Sequence, residues 1–495
     1  MSTKTIEELF AEIYNQCGYI NWRADEIKSA QVKIETAARE IEASLADQPP
    51  PDQPPPDGGG GDGGDGGDGE VTPPPDGGGS GGDPTQQVRI LPEHLHYIGA
   101  FRVPQGIPPG CANGFDYALT CLAYNSQNHS LFLNNHAHEQ KTAEITIPTP
   151  SGDMNRLPTA QYLQYPVDIT EGRLQCVLAG GAAYYDRCEM GDLLVYGNKL
   201  MGTSYIFYDG SKKAVLSHFY SNKLVAEAGD MFGMYDVWAG GRPGEAGFVG
   251  GWLCHVPPEW QDLLGGTALT GNGCLSIISR TSFGPSAFVF TPEEMVGTSG
   301  TVAATPLVYY PEEHPTLGAW GQEESINHVF NQGTQIRGIV FPTGSRTVLF
   351  FGLQGLGYPC YGFSDLTQPK PPGQDLYSGH CYDPVRTDKG CHAYPYQAWV
   401  WAYDANDLLA VKNGQRQPWD VVPYQVWGLE LPIPSPDGAL TGVAYDPLHQ
   451  RLYVGQHNAS YLYPGTSGAY DRTPIIHVYD LREAKSGKRG GLLHI

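Results

Sequence analysis

Three short segments gather the side chains of this chain best suited to holding a polar ligand. Met231-Phe-Gly-Met-Tyr-Asp-Val-Trp-Ala-Gly-Gly241 carries Asp236 and Trp238. Ser279-Arg-Thr-Ser-Phe-Gly-Pro285 carries Arg280 and Ser282, and Cys391-His-Ala-Tyr-Pro-Tyr-Gln-Ala-Trp399 carries His392 and Tyr394. Flat apolar faces beside hydrogen-bonding groups are what a sugar ring requires, and Tyr and Trp supply both at low entropy cost. An arginine ahead of a tight turn presents a planar fork to a carboxylate or sulfate. On this reading Trp238 and Tyr394 stack on sugar rings, Asp236 and His392 bond hydroxyls, Ser282 completes the set, and Arg280 holds an acidic substituent. The competing use of the same groups is to fill and cross-link the scaffold.

Other chemistry is weaker. Glycan hydrolysis needs two carboxylates in different protonation states, and Asp116, Asp186, Asp236 and the pair Glu323-Glu324 offer candidates without a spacing that selects two. His136-Ala-His138 has the elements of a metal ligand pair, but two alternating histidines at a strand end are more often solvated or hydrogen-bonded. No phosphate loop, nucleophile elbow, zincin helix or dinucleotide fingerprint is present. No catalytic residue, metal or cofactor is therefore expected. Ten cysteines without a CxxC pair speak against structural zinc. Disulfides are best placed between Cys381 and Cys391, or between either of these and Cys360, in one Gly/Pro-rich region.

The elements that must position these groups fall into three parts. Residues 48–86 are nearly all Pro, Gly, Asp and Gln, with eight acidic residues and no basic one. So few apolar side chains cannot offset backbone ordering, so 47–87 is expected to be a disordered spacer. Ahead of it, Ile6, Ile13, Ile20, Ile27, Ile34 and Ile41 recur every seven residues. That stripe predicts a coiled-coil helix over 1–46 that self-associates, as a trimer first, or docks into a partner. The net charge of −23, from 30 basic and 53 acidic residues, disfavours nucleic acid. No apolar run reaches the ~20 residues of a membrane span, and the N-terminus has no signal-peptide pattern.

From Val88 to Ile495 the texture is all-β. Leu122–His136 aligns without gaps with Val443–His457, and Ile339–Phe351 is a looser third copy. A second recurring run, read as the one that ends each unit, appears at Ala143–Pro148, Tyr205–Asp209, Ala287–Pro292, Trp399–Asp404 and Ile475–Asp480. Recurrence of this kind predicts a β-propeller head of five to seven blades, with the first and last copies side by side where the ring closes, and a β-sandwich array as the alternative.

The stretches Tyr97–Pro104, Ala143–Pro148, Pro257–Trp260, Ile278–Pro285, His392–Pro395 and Ala402–Leu409 resemble an uncharacterised bacterial and environmental propeller-like family over residues 95–481. The resemblance implies the fold and carries no assigned activity. The N-terminal architecture is similar to that of fibre and spike proteins of bacterial viruses, in which an anchoring or trimerising helix and a spacer precede a receptor-binding head. It implies a virion-surface subunit, made in the host cytoplasm and attached to capsid or tail proteins through residues 1–46, whose head binds a cell-surface glycan. The alternatives are a glycan-degrading enzyme on the same scaffold and a cytosolic or cell-surface interaction scaffold.

Overall fold

The structure is a computed structural model. It describes residues 82–481 apart from 119–120, 178–186, 211–212, 223–229, 239–245, 277–279, 296–299, 312, 315–317, 320–328, 365–378, 435–437 and 463–471. The heptad helix and most of the spacer lie outside the described residues.

Strand β1 (His96–Arg102) precedes the first blade, which is formed by β2 (Leu122–Asn125), β3 (Ser130–Asn134), β4 (Thr142–Thr146) and β5 (Tyr162–Val167). The second blade holds β6 (Cys188–Tyr196), β7 (Lys199–Ile206), β8 (His218–Asn222) and β9 (Phe232–Trp238). The third has β10 (Trp252–His255), β11 (Ala268–Gly271) and β12 (Ala287–Phe290). The chain then returns to the second blade, adding β13 (Thr301–Ala303) parallel to β9, before β14 (Thr305–Val308) completes the third. A short pair, β15 (Glu313–His314) and β16 (Gly318–Ala319), leads to the fourth blade, opened by β17 (Gln335–Val340) and β18 (Thr347–Gly355). A three-stranded insertion follows: β19 (Cys360–Ser364), β20 (Gly379–Cys381) and β21 (Gly390–His392). β22 (Tyr396–Asp404) and β23 (Gln425–Gly428) then finish that blade. The fifth is β24 (Leu440–Asp446), β25 (Arg451–Gln456) and β26 (Ile475–Asp480), with β1 as its outer strand. Strands from opposite ends of the described chain thus close a five-bladed propeller.

The innermost strands β2, β6, β10, β17 and β24 contact one another in cyclic order. Each seam between successive blades carries its own apolar cluster. Phe132 meets Met190 and Phe219, Leu253 meets Met201 and Tyr220, and Trp252 meets Ile336 and Phe350. Val340 and Leu349 meet Val443 and Leu452, and Leu122 and Leu131 meet Tyr453 and Val478. Alternate side chains of a strand point to opposite faces, so Val348 and Phe350 pack toward the third blade while Leu349 and Phe351 pack toward the fifth. Burial on both faces is why these strands read as unbroken apolar runs in the sequence.

Close approach at the axis demands small residues. A Cβ on Gly191 would lie 2.1 Å from the Gly250 carbonyl oxygen, and one on Gly338 would lie 2.3 Å from the Val443 side chain. Beside Gly191, the buried Asp192 carboxylate accepts from the backbone N–H of Leu122, Leu193 and Leu253, at 3.2, 2.9 and 3.1 Å. One side chain therefore ties the inner strands of three consecutive blades.

Blade number agrees with the five recurring runs, but their placement needs a correction. Four of them are third strands, namely β4, β12, β22 and β26, whereas Tyr205–Asp209 ends β7, a second strand, and β8 is the third strand of its blade. None ends its blade, because a further strand pairs outside each. The gapless repeat is the innermost hairpin of the first and fifth blades, which are neighbours, with the Tyr124 and Tyr453 rings stacked 6.0 Å apart. The end of the expected spacer is tied to the head. The Thr85 carbonyl accepts from Arg346 and Asn406, and the Gln87 side chain bonds Glu259 and Trp260.

Candidate functional site

Neighbouring strands within each blade run antiparallel, apart from the extra β13, so the loops that follow a second strand and the crossovers that follow a fourth emerge on the same face of a propeller. The three segments singled out in the sequence occupy such positions. Trp238 closes the fourth strand of its blade, Arg280 and Ser282 lie between β11 and β12, and His392 and Tyr394 lie between β18 and β22.

The six residues are not equivalent once placed. Ser282 is fully buried; its hydroxyl accepts from the Tyr310 N–H at 2.9 Å and donates to the Pro285 carbonyl at 3.3 Å. His392 is also buried. Its Nδ1 pairs with Asp383 at 2.9 Å, and its Nε2 lies 3.1 and 3.0 Å from the carbonyls of Gly362 and Asp388. Both ring nitrogens are thereby occupied within the insertion. These two side chains hold the scaffold, which corrects the expectation that they reach a ligand.

Arg280 differs. Its Nε and Nη1 are buried without a hydrogen-bond partner, and the side chain lines a pocket with Ile206, Phe207, Asp209, Ala214, Gly247 and Leu275. The pocket has a volume of about 10 Å³, room for about one water-sized group. It fits an oxygen of a ligand substituent, not a ring. Asp209, which lines the same pocket, accepts from the backbone N–H of Lys213 at 3.2 Å and of Ala214 at 3.4 Å. The segment Met231–Gly241 contributes Asp236, whose Oδ1 is buried without a partner and whose carboxyl burial holds above the usual range. The Trp238 side chain lies outside the described residues. Tyr394 is half-buried in a cluster with Tyr382 and Tyr396, ring centroids 5.8 and 6.2 Å away, and Arg386 lies 4.4 Å over the Tyr396 ring.

Sequence reasoning missed a set of exposed aromatics on the same loops. Tyr208 follows β7, Tyr358 precedes β19 and Phe363 lies within it, and all three are exposed. Burial, then the neighbouring Cys391 and Tyr208, raise the Tyr361 phenol. The loop of the second blade therefore lies near enough to the insertion of the fourth for Tyr208 to bear on Tyr361. These residues are about 150 positions apart, and no local pattern marks that approach.

The insertion is stapled by a disulfide between Cys360 and Cys381, one of the pairings the sequence left open, and Cys391 is free. Cys176 and Cys188 form a second disulfide that no spacing foreshadowed. His136 and His138 stack on each other with ring centroids 5.0 Å apart, and the His138 N–H donates to His136 Nδ1. Burial depresses the His136 pKa to about 4. Of the candidate carboxylates, Asp186, Glu323 and Glu324 lie outside the described residues.

The class defined by this geometry is a closed five-bladed β-propeller with a loop-rich face. No family model matches the chain, and no curated protein matches it. Among solved structures, similar folds include a glycosyl hydrolase from Bacteroides ovatus, at 12% identity and a TM-score of 0.34, covering 80% of this chain and 96% of the other. The PQQ-bound aldose sugar dehydrogenase of Streptomyces coelicolor matches at 11% identity and a TM-score of 0.32, covering 76% and 98%. A gluconolactonase from Xanthomonas campestris matches at 10% identity and a TM-score of 0.28, covering 77% and 99%. Superpositions this loose carry no argument about activity.

Proposed function

We propose that the chain is a virion-attached, oligomeric fibre or spike subunit whose propeller head binds an acidic cell-surface glycan. The observation that carries the binding reading is Arg280, a guanidinium with two buried nitrogens lacking an acceptor, in a pocket sized for one anionic oxygen. A buried donor left unpaired costs about 1–3 kcal/mol, and a charged one more, which a ligand carboxylate or sulfate would recover. Asp236 and Trp238 lie at the end of β9, and Tyr394 lies between β21 and β22, positions that lead to the same face, and the exposed Tyr208, Tyr358 and Phe363 would supply further surfaces for sugar rings. Attachment rests on the heptad isoleucines and the acidic spacer, an arrangement suited to holding a head away from an anchor.

The test is binding of the full chain to sulfated and uronic-acid polysaccharides and to their neutral counterparts. Arg280→Gln is expected to lose at least about tenfold in affinity for the acidic polymers while keeping its β circular dichroism. Equal binding by a folded Arg280→Gln variant refutes the site. Recovery of the chain with purified virus particles tests attachment separately.

Asp236 supports a second reading, a glycan-degrading enzyme on the same scaffold. A carboxyl held above its usual range by burial is the condition a general acid needs. Release of reducing ends from the bound polysaccharide, abolished in Asp236→Asn, would favour it over simple binding.

A further inference from the structure

We propose that the innermost hairpins of the first and fifth blades form a divalent transition-metal site, suited to zinc, that clips the ring shut. Its ligands are His129, Asp446 and His449. One ligand atom from each lies within 4.8 Å of the other two, and this is the only such cluster of three among the described residues. His449 Nδ1 is 2.7 Å and His129 Nδ1 3.7 Å from the same carboxylate oxygen, Asp446 Oδ2. Ligands about 2.0–2.1 Å from a tetrahedral zinc sit about 3.4 Å apart. The observed separations bracket that value, and small rotations of two half-exposed imidazoles would meet it.

The surroundings are built for the purpose. The Asp446 side chain is fully buried. Its Oδ1 accepts from the N–H of Leu448 and His449, which fixes the carboxylate and leaves Oδ2 facing both rings. His129 sits at φ 48° at the end of the turn, and the Tyr124 hydroxyl lies 2.9 Å from its Nδ1. A metal bound to His129 Nδ1 would displace that hydroxyl, and a water would complete the tetrahedral shell. The nearby cation, Arg451, is engaged by Asp480 at 3.0 Å. Two imidazoles and one carboxylate select zinc or its neighbours in the transition series over calcium or magnesium, which prefer all-oxygen shells.

The location gives the site its role. Both hairpins emerge on the face opposite the Arg280 pocket, so the metal takes no part in glycan binding. They belong to the first and last blades, which meet at a seam through the contacts of β2 with β24, while the pairing of β1 with β26 inside the fifth blade ties the start of the head to its end. A metal bound across that seam stabilises the closed ring, because an opened ring has no preformed site.

The experiment uses the full chain, stripped with a chelator and titrated with zinc chloride, following stoichiometry by calorimetry and thermal unfolding by circular dichroism. Expected are binding of one zinc per chain at this site and a raised melting midpoint, with no such shift from magnesium or calcium. The His129→Ala/His449→Ala variant, whose altered side chains are half-exposed and replaceable without loss of the fold, is expected to lose one bound zinc and the shift. Cobalt(II) should give the visible bands of a tetrahedral site in the parent chain only. Unchanged zinc stoichiometry and affinity in the folded double variant would overturn the site. Zinc binding that leaves the melting midpoint unmoved would overturn the clip.

Discussion

Replacing Asp192 by Asn tests whether one buried carboxyl ties three blades at the axis. Asp192 Oδ1 accepts from Leu122 and Leu193 and Oδ2 from Leu253. Burial outweighs these donors and pushes its pKa up to about 7. An asparagine keeps one oxygen for the first two donors but turns its NH₂ toward the Leu253 N–H, orphaning a buried donor at a cost of about 1–3 kcal/mol. The titration acts in the other direction. Because the folded pKa is raised, the contribution of this group is full below the unfolded pKa and is lost as pH rises toward about 7. About three pH units at ~1.4 kcal/mol each amount to about 4 kcal/mol, which Asp192→Asn does not lose. The variant should therefore be less stable than the parent by about 1–3 kcal/mol near pH 3.5, below the unfolded pKa, and should match or exceed it near pH 8. Urea unfolding of both proteins across this range, with linear extrapolation, measures the difference directly. Parallel stability curves, with a difference that does not change with pH, would refute the buried-carboxyl argument.

Two further expectations concern the insertion and the N-terminal segment. Cys381→Ser removes the Cys360–Cys381 crosslink, which encloses a loop of 21 residues. Loop entropy of about 3 kcal/mol is then lost, and proteolysis should cut first between β19 and β20 while the blades persist. Residues 1–95 alone should sediment as a trimer, because isoleucine at one seam position with smaller residues at the other disfavours a simple parallel dimer; a monomer at tens of micromolar would leave only docking into a partner.

The sequence alone was sufficient for the class of fold. Strands buried on both faces must read as unbroken apolar runs, and blades built on one plan leave related runs, so Leu122–His136 and Val443–His457 announced a closed repeat before any coordinate. Local signals failed where two blades use the same residue types differently. Tyr205–Asp209 has the composition of a third strand, yet it ends a second one, because pairing partners decide strand order and composition does not.

The same limit governs the sites. Asp236, Arg280, Ser282, His392 and Tyr394 are all polar or aromatic residues near turns, and nothing in their spacing separates them. Tertiary structure does so by supplying or withholding partners. Asp383 and two carbonyls occupy His392, Tyr310 and Pro285 occupy Ser282, and two nitrogens of Arg280 are left without an acceptor. His129 and His449 stand 320 positions apart in the chain, and only closure of the ring brings their rings to 5.1 Å. A hydrogen bond or a ligand set is a condition on distance in space. The sequence fixes which side chains exist, and the return of the last blade to the first decides which of them meet.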